Sequence, residues 1–386
     1  MNDARRDYPQ TPLSMAELPV PSGWFAVALT RELPRGRVTP ARVGRQDLVA
    51  WRDESGTACV ATAWCPHLGA HLGYLGRVRG QALVCGFHGF AFGSDGSCLA
   101  TGYEGRVPPR ARLTMWPAAE VDGVVLTYHD AAGLPPSWTI PPADAEGWTA
   151  PRWRTLTFTG HPMEVTENSV DVGHLGFVHG YSGVREIIRA STDGPVLTAR
   201  YAMTRAGRMY GVPVPAMRTT FDVAAYGLGF SRVDVTVHTL GTRARLWVLP
   251  TPLGDGTVRL RLGTAARRTR STATPEAGAA LRWVPASLAA GVIRDFALLG
   301  LANDVAQDRR VWETKRHLRR PALAAGDGPI GLYRRWAGQF MPAAPDDLGP
   351  PVAAAGQERG NADTDTDAGA APERPASTSA VTSRLG

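Results

Sequence analysis

The sequence predicts an α+β chain: a small antiparallel all-β domain at residues 19–130, then at 152–342 an antiparallel sheet flanked by helices. Three observations carry this. Residues 20–130 break into short runs of β-formers bounded by Gly, Asp and Ser. Residues 196–265 return to that texture. Residues 163–180 and 276–317 instead read as helix. At 386 residues the chain has room for both domains and a sizeable core.

Taken in order, residues 1–18 form an arm. GWFAVALT, DLVAWRD, GTACVATAW, ALVCGF, GFAFGSDGSCLA and GVVLTYHD follow as strands, with SDGS at 94–97 as a hairpin turn. Residues 131–151, with Pro135, Pro136, Pro141, Pro142 and Pro151, read as a linker or crossing segment. The helix expected at 163–180 is followed by a loop. DGT at 255–257 marks a second hairpin. Residues 343–386 lack aromatics and nearly all large aliphatics, so they predict a disordered tail.

Composition narrows the function. An apolar share of 44% and a charged share of 20% are ordinary for a globular protein. The net charge of +7 comes from scattered arginines; Lys315 is the only lysine, and the tightest cluster is Arg267-Arg268-Thr269-Arg270. That pattern speaks against nucleic acid and fits a basic docking face for an acidic protein partner. The N-terminus shows no signal-peptide core and no apolar run reaches membrane-spanning length, so a cytoplasmic protein without an integral membrane span is expected. Cys59 and Cys98 are expected as buried small hydrophobes rather than a disulfide.

Two constellations carry the chemistry. In the first, Cys65 and His67 are followed, after seventeen residues, by Cys85 and His88. Thiolates with imidazoles suit zinc or iron–sulfur sites. Zinc modules usually pair Cys with Cys in one knuckle, whereas each loop here offers one Cys and one His. That suits a two-iron cluster with both sulfurs on one iron and both imidazoles on the other, which raises the reduction potential. Gly69 and Gly89 permit tight loops. His71 lies outside the pattern and reads as a surface or supporting histidine. CPH, the spacer, CGFHGF and the following FAFGSDGSC resemble the Rieske [2Fe–2S] family, with Gly86 where the family often has Pro and Phe90 where Trp is common.

The second is ENSVDVGHLGFVHG, starting at Glu167. Asp171 and His174 share a helix face. His174 and His179 are five apart, so a bend at Gly176 or a loosened helix end is needed for them to converge. Two histidines and a carboxylate make the facial triad of non-heme Fe(II) oxygenases. Asp171 is better placed as a bridge, accepting hydrogen bonds from His174 and from an incoming cluster histidine. The third ligand is then sought downstream, where Asp304 and Asp308 lie one turn apart.

Residues 18–342 resemble the large (α) subunit of Rieske non-heme iron oxygenases, most of all the 3-ketosteroid 9α-hydroxylase and cholesterol desaturase subgroup. The carriers are the two metal motifs, the Asp308-to-Trp312 spacing and DGPIGLYRRWAGQF at 327–340. The resemblance implies a helix-grip catalytic domain, with His174, His179 and Asp308 as iron ligands and Asp304 as the fallback. It implies a [2Fe–2S] cluster on Cys65, His67, Cys85 and His88, a mononuclear Fe(II), and O₂ as co-substrate. Electrons from NAD(P)H would come through a partner reductase, with or without a ferredoxin, since no GxGxxG opens a helix here. It further implies a head-to-tail homotrimer in which His88 or His67 meets Asp171 of a neighbour.

Apolar stretches at 209–230 and 296–304 favour a bulky hydrophobic substrate. A steroid or sterol comes first. Next comes a secondary metabolite, hydroxylated or oxidatively cyclised as by prodiginine-cyclising oxygenases. A Rieske electron-transfer protein without oxygenase activity is the contrasting class, and the second histidine–carboxylate set argues against it.

Overall fold

The structure, a computed structural model, describes residues 12–209, 212–268 and 286–342. The expected tail, the first residues of the arm, the start of the 276–317 helix and the end of the arginine cluster lie outside the described residues.

The first half is built from short antiparallel strands. Gly23–Leu29 (β1), Val38–Val43 (β2), Gln46–Arg52 (β3) and Ala58–Thr62 (β4) lead into a one-turn helix, Leu72–Leu75 (α1). Gly76–Arg79 (β5), Ala82–Cys85 (β6), Ala91–Phe92 (β7) and Cys98–Ala100 (β8) follow, then Met115–Trp116 (β9), Ala118–Val121 (β10) and Val124–His129 (β11). They form sheets of order β1-β11-β10, β2-β3-β4-β9 and β5-β6-β7-β8. SDGS makes the β7–β8 turn. Residues 131–151 contain neither helix nor strand.

The second half is one seven-stranded antiparallel sheet of order β12-β18-β17-β16-β15-β14-β13. Its strands are Arg152–Thr159 (β12), Tyr181–Asp193 (β13), Val196–Met209 (β14), Val212–Tyr226 (β15), Phe230–Val237 (β16), Thr242–Gly254 (β17) and Thr257–Arg268 (β18). Asp255 and Gly256, both at positive φ (51° and 74°), make the β17–β18 turn, as the DGT signal predicts.

Alternation along β17 explains how the sheet is used. Ala244, Leu246 and Val248 face a long helix, Ala286–Trp312, and a cavity beneath it. Trp247 and Leu249 face the opposite way and join Trp24, Leu126, Tyr128 and Trp153 in a core shared with β1 and β11. Buried Arg261 on β18 fastens that junction, donating to the Ala26 and Val27 carbonyls at 2.8 and 3.0 Å. No described helix is long and apolar enough to cross a membrane.

Several local expectations need correction. Residues 163–180 form not one helix but two, Pro162–Glu167 (α2) and Val172–Phe177 (α3). The break comes at Asp171, which adopts extended backbone (φ −73°, ψ 97°) and caps α3 by accepting from the His174 N–H. The segment after 180 is no loop but the 13-residue strand β13. It is an edge strand with register shifts and mostly exposed side chains, so no clean apolar alternation marks it. The long helix, α4, stops at Trp312, ahead of the expected 317. Lys315 and His317 beyond it turn inward to a buried carboxylate. Cys59 is buried as expected, but Cys98 is only half-buried, its Sγ against the Ala100 carbonyl at 3.3 Å.

Candidate metal centres and the adjoining cavity

The two Cys–His loops are near copies of one another. Cys65 N–H donates to the Ala70 carbonyl at 2.8 Å, and the Cys65 carbonyl accepts from Gly69 at 2.9 Å. Cys85 N–H donates to Phe90 at 2.8 Å, and its carbonyl accepts from Gly89 at 3.0 Å. Gly69 and Gly89 sit at φ 73° and 70°, where side chains are strained. Gly86 has a different reason: a Cβ there would stand 2.2 Å from the Leu75 carbonyl oxygen, so a larger residue would force the two backbone segments apart.

Both sulfurs are buried, in a core with Leu72, Leu83, Phe90 and Phe92. The His67 and His88 ring centroids are 4.9 Å apart, and His67 stacks on Phe90 at 4.3 Å. Burial, with the Cys85 sulfur close by, pushes the Cys65 thiol up to about 11. Nδ1 of His88 is buried with no hydrogen-bond partner. An orphaned imidazole nitrogen beside two buried thiols is costly unless a metal takes them, so the donor set fits a [2Fe–2S] cluster, whose binding displaces the thiol protons. His71 stands apart: its Nδ1 caps α1 by accepting from Gly73 N–H.

The second centre brings together residues from α3, the turn beyond it, and α4. Ligand atoms of His174, His179 and Asp308 all lie within 4.8 Å of one another. His179 follows the last turn of α3, so a loosened helix end, not a bend at Gly176, brings the rings to 5.0 Å. Each imidazole has Nδ1 engaged. His174 Nδ1 lies 2.5 Å from the Asp171 carbonyl oxygen, and His179 Nδ1 lies 2.9 Å from Gln307 Oε1. Donation from Nδ1 leaves both Nε2 atoms free as ligands. His179 Nε2 lies 3.2 Å from Asp308 Oδ1. Burial opposes a charged His179, but Asp308 outweighs it and the pKa is raised. Two imidazole nitrogens and one buried carboxylate fit a non-heme iron.

Asp304 does not join them. Arg205 clamps it with bonds of 2.6 and 3.0 Å, and Tyr181 Oη donates to it at 3.2 Å. Asp171 lies beside the site, but its carboxylate accepts the His174 backbone N–H at 3.0 Å; His174 Nδ1 is 3.7 Å from it and bonds the Asp171 carbonyl instead. Sequence reasoning missed Gln307. Its position directly before Asp308 is the only signal it offered.

Behind α3, Glu164 and Glu167 of α2 anchor a buried charge cluster. Glu164 receives Lys315 Nζ at 2.5 Å and His317 Nδ1 at 2.7 Å, while Arg334 pairs with Glu167. The chain's single lysine is spent here. Tyr333, on the last described helix, Ile330–Gly338 (α5), donates to the Met163 carbonyl at 2.5 Å. Together these contacts fix the segment that leads into His174 and His179.

His179 and Asp308 border a small cavity of about 140 Å³, floored by Phe221, Val233 and Leu246. Tyr181, Phe221, Leu246, Leu301 and Asp304 also border a second cavity of about 310 Å³. Met217, Thr219 and Phe221 come from the expected 209–230 stretch, and Phe296 and Leu301 from the expected helix. The walls from β16 and β17 were not anticipated.

Gln307→Leu removes the acceptor for His179 Nδ1–H. Iron affinity at the second centre is expected to fall roughly 10- to 100-fold, read by chelator competition, with the cluster unaffected.

The comparisons with known proteins agree with this layout. Residues 23–111 match the Rieske [2Fe-2S] domain, and 127–341, more than half the chain, match the 3-ketosteroid 9alpha-hydroxylase C-terminal domain. Cholesterol 7-desaturase of Bombyx mori is 29% identical over 328 residues, covering 83% of this chain and 70% of that protein. A 3-ketosteroid-9-alpha-monooxygenase oxygenase component of Rhodococcus rhodochrous is 27% identical over 331 residues, covering 82% and 83%. Among solved structures, dicamba monooxygenase bound to dicamba superposes with a TM-score of 0.61 at 16% identity, over 84% of this chain and 98% of that one. A fold, two metal-ready donor sets and a match across the whole catalytic half lead to one assignment: the chain belongs to the 3-ketosteroid 9α-hydroxylase family of Rieske oxygenases.

Proposed function

We propose that this enzyme oxidises a C–H bond of a steroid or sterol, by hydroxylation or desaturation, using dioxygen and electrons that a partner reductase draws from NAD(P)H. The observation that carries this reading is the convergence of His174, His179 and Asp308: His179 and Asp308 border the small cavity, which shares Tyr181, Phe221, Leu246 and Leu301 with the apolar one of about 310 Å³. When bound, the two centres supply single electrons and activate dioxygen. The chain's own residues hold the reaction in place. Asp171 and Gln307 fix the imidazole tautomers, and the apolar walls exclude water and grip a rigid hydrocarbon body. Relatives that are 3-ketosteroid monooxygenase components and cholesterol desaturases support the substrate class.

We propose the head-to-tail trimer that the family resemblance implies, and exposed apolar side chains near both centres support it. Leu68 and Phe87, next to the cluster histidines, are 65% and 58% exposed, and Phe177 on α3 is 97% exposed. A neighbouring subunit that covers them would bring His67 or His88 toward Asp171. Asp171→Asn tests the bridge cleanly, because Asn caps a helix as well as Asp does. Both metals should stay bound while turnover falls at least about 10-fold, in line with loss of a supporting group at a metal site. Normal, fully coupled turnover would remove the bridge from the mechanism.

The deciding experiment is anaerobic reconstitution with iron, followed by a surrogate reductase, NADH and a panel of steroids and polycyclic metabolites. An added oxygen or new double bond on a steroid supports the proposal. Oxidation confined to the other polycycles would replace steroid by secondary metabolite. Two irons per chain and no oxidation would leave only an electron carrier.

A further inference from the structure

Most of the larger cavity is apolar, but two features are polar. At the iron end, Arg205 and Asp304 are its only charged lining residues among the described ones, and they neutralise each other. At the other end lies Thr242, 2% exposed, whose Oγ1 is buried without a hydrogen-bond partner. Thr242 pairs with Val237 at the closed end of the β16–β17 ladder, while Leu246, which borders both cavities, pairs with Val233. Four residues of strand separate Thr242 from Leu246, on the order of 13 Å.

A buried hydroxyl without a partner is rare, because it forfeits its bonds to water. Elsewhere on the wall, Thr219 satisfies its hydroxyl on the Met203 carbonyl at 3.2 Å. Thr242 has no such outlet among the described residues, and it lines the cavity from the same face of β17 as Ala244 and Leu246. Nothing there is charged, so a carboxylate would enter without a counter-ion. Resting on the steroid reading above, we propose that Thr242 is a specificity-determining residue. It hydrogen-bonds an uncharged oxygen function, a ketone or hydroxyl, at the end of the substrate remote from the oxidised carbon.

Thr242→Val keeps the shape and deletes the hydroxyl, and Thr242→Ser restores it. Equilibrium binding to the full iron-loaded chain is measured for 5α-androstane-3,17-dione, 5α-androstan-3-one and 5α-androstan-17-one. Wild type should bind the dione and one mono-ketone about 10-fold more tightly than the other mono-ketone, as one neutral hydrogen bond allows. Thr242→Val should erase that preference while the weaker mono-ketone binds unchanged, and Thr242→Ser should retain it. The ligand-free Thr242→Val chain should unfold at the same temperature as wild type or higher, since an unsatisfied group has gone. Wild-type affinities in Thr242→Val, or equal weakening of all three ligands, would overturn the proposal. If no steroid binds either form, the steroid reading fails by itself. Thr242 is then judged on fluorenone against fluorene: selective loss of fluorenone binding in Thr242→Val upholds its role, and no selective loss ends it.

Discussion

Asp308→Ala is expected to empty the second metal centre and leave the first intact. Iron content should fall from three to two per chain, the visible spectrum of the cluster should persist, and substrate oxidation should drop to background. Asp308 is 7% exposed on α4, with Oδ1 3.2 Å from His179 Nε2. It is the only carboxylate among the described residues that groups with both histidines. Its nearest substitute, Asp304, is one turn away but held in a bidentate clamp by Arg205. Freeing it would leave a guanidinium, only 14% exposed, without a partner. The loss should therefore exceed the roughly 10- to 100-fold that removal of a supporting group costs. A variant that keeps three irons and more than a tenth of wild-type turnover would show that another group completes the site.

The largest effect on stability is expected at Glu164. Its carboxylate is 1% exposed and holds Lys315 and His317, with Arg334 4.0 Å away. Glu164→Ala would take from Lys315 its nearest carboxylate and from His317 Nδ1 its partner, leaving Glu167 to serve Lys315 and Arg334, at a cost of roughly 3–5 kcal/mol, read by thermal or denaturant unfolding. The same group makes a pH prediction. Burial raises its pKa, but the hydrogen bond from His317 and the charges of Lys315 and Arg334 outweigh it and hold the folded value at about 2, against 4.5 unfolded. A depressed acid stabilises fully above its unfolded pKa, so this contribution disappears as pH falls from 4.5 through 2.

His161 adds an earlier loss. Buried at 4% exposure, it is pushed down by desolvation to about 4 from 6.5. The neutral form is favoured in the fold, so its contribution is present above 6.5 and fades toward pH 4. Each contribution is on the order of 3 kcal/mol. Acid titration of stability should show both stages in wild type, and Glu164→Gln should lack the lower one. A Glu164→Gln chain with the wild-type profile below pH 4.5 would place the acid sensitivity elsewhere.

Much of this was legible from residue types. Cysteine and histidine spacing marks the first donor set because few other arrangements use one of each per loop. Asp308 was separable from Asp304 only through family resemblance; spacing alone leaves them equivalent, and the difference is made by Arg205, far away in sequence. The break between α2 and α3 was hidden because Asp171 reads equally well inside a helix and as its cap. β13 was missed because an edge strand with bulges loses the period-two signal. The cavity's β16 and β17 walls were invisible for a related reason: Val233, Val235, Ala244 and Leu246 read as core from any strand pattern, and only the register and the long helix above them turn one face into a cavity wall.

The Arg261 fastening has a consequence for electron flow. A guanidinium buried between the halves, bonded to two main-chain carbonyls of β1, opposes any swing of the N-terminal lobe against the seven-stranded sheet. Any change in the gap between the two donor sets by lobe travel would first have to break these two bonds and leave a buried guanidinium without acceptors.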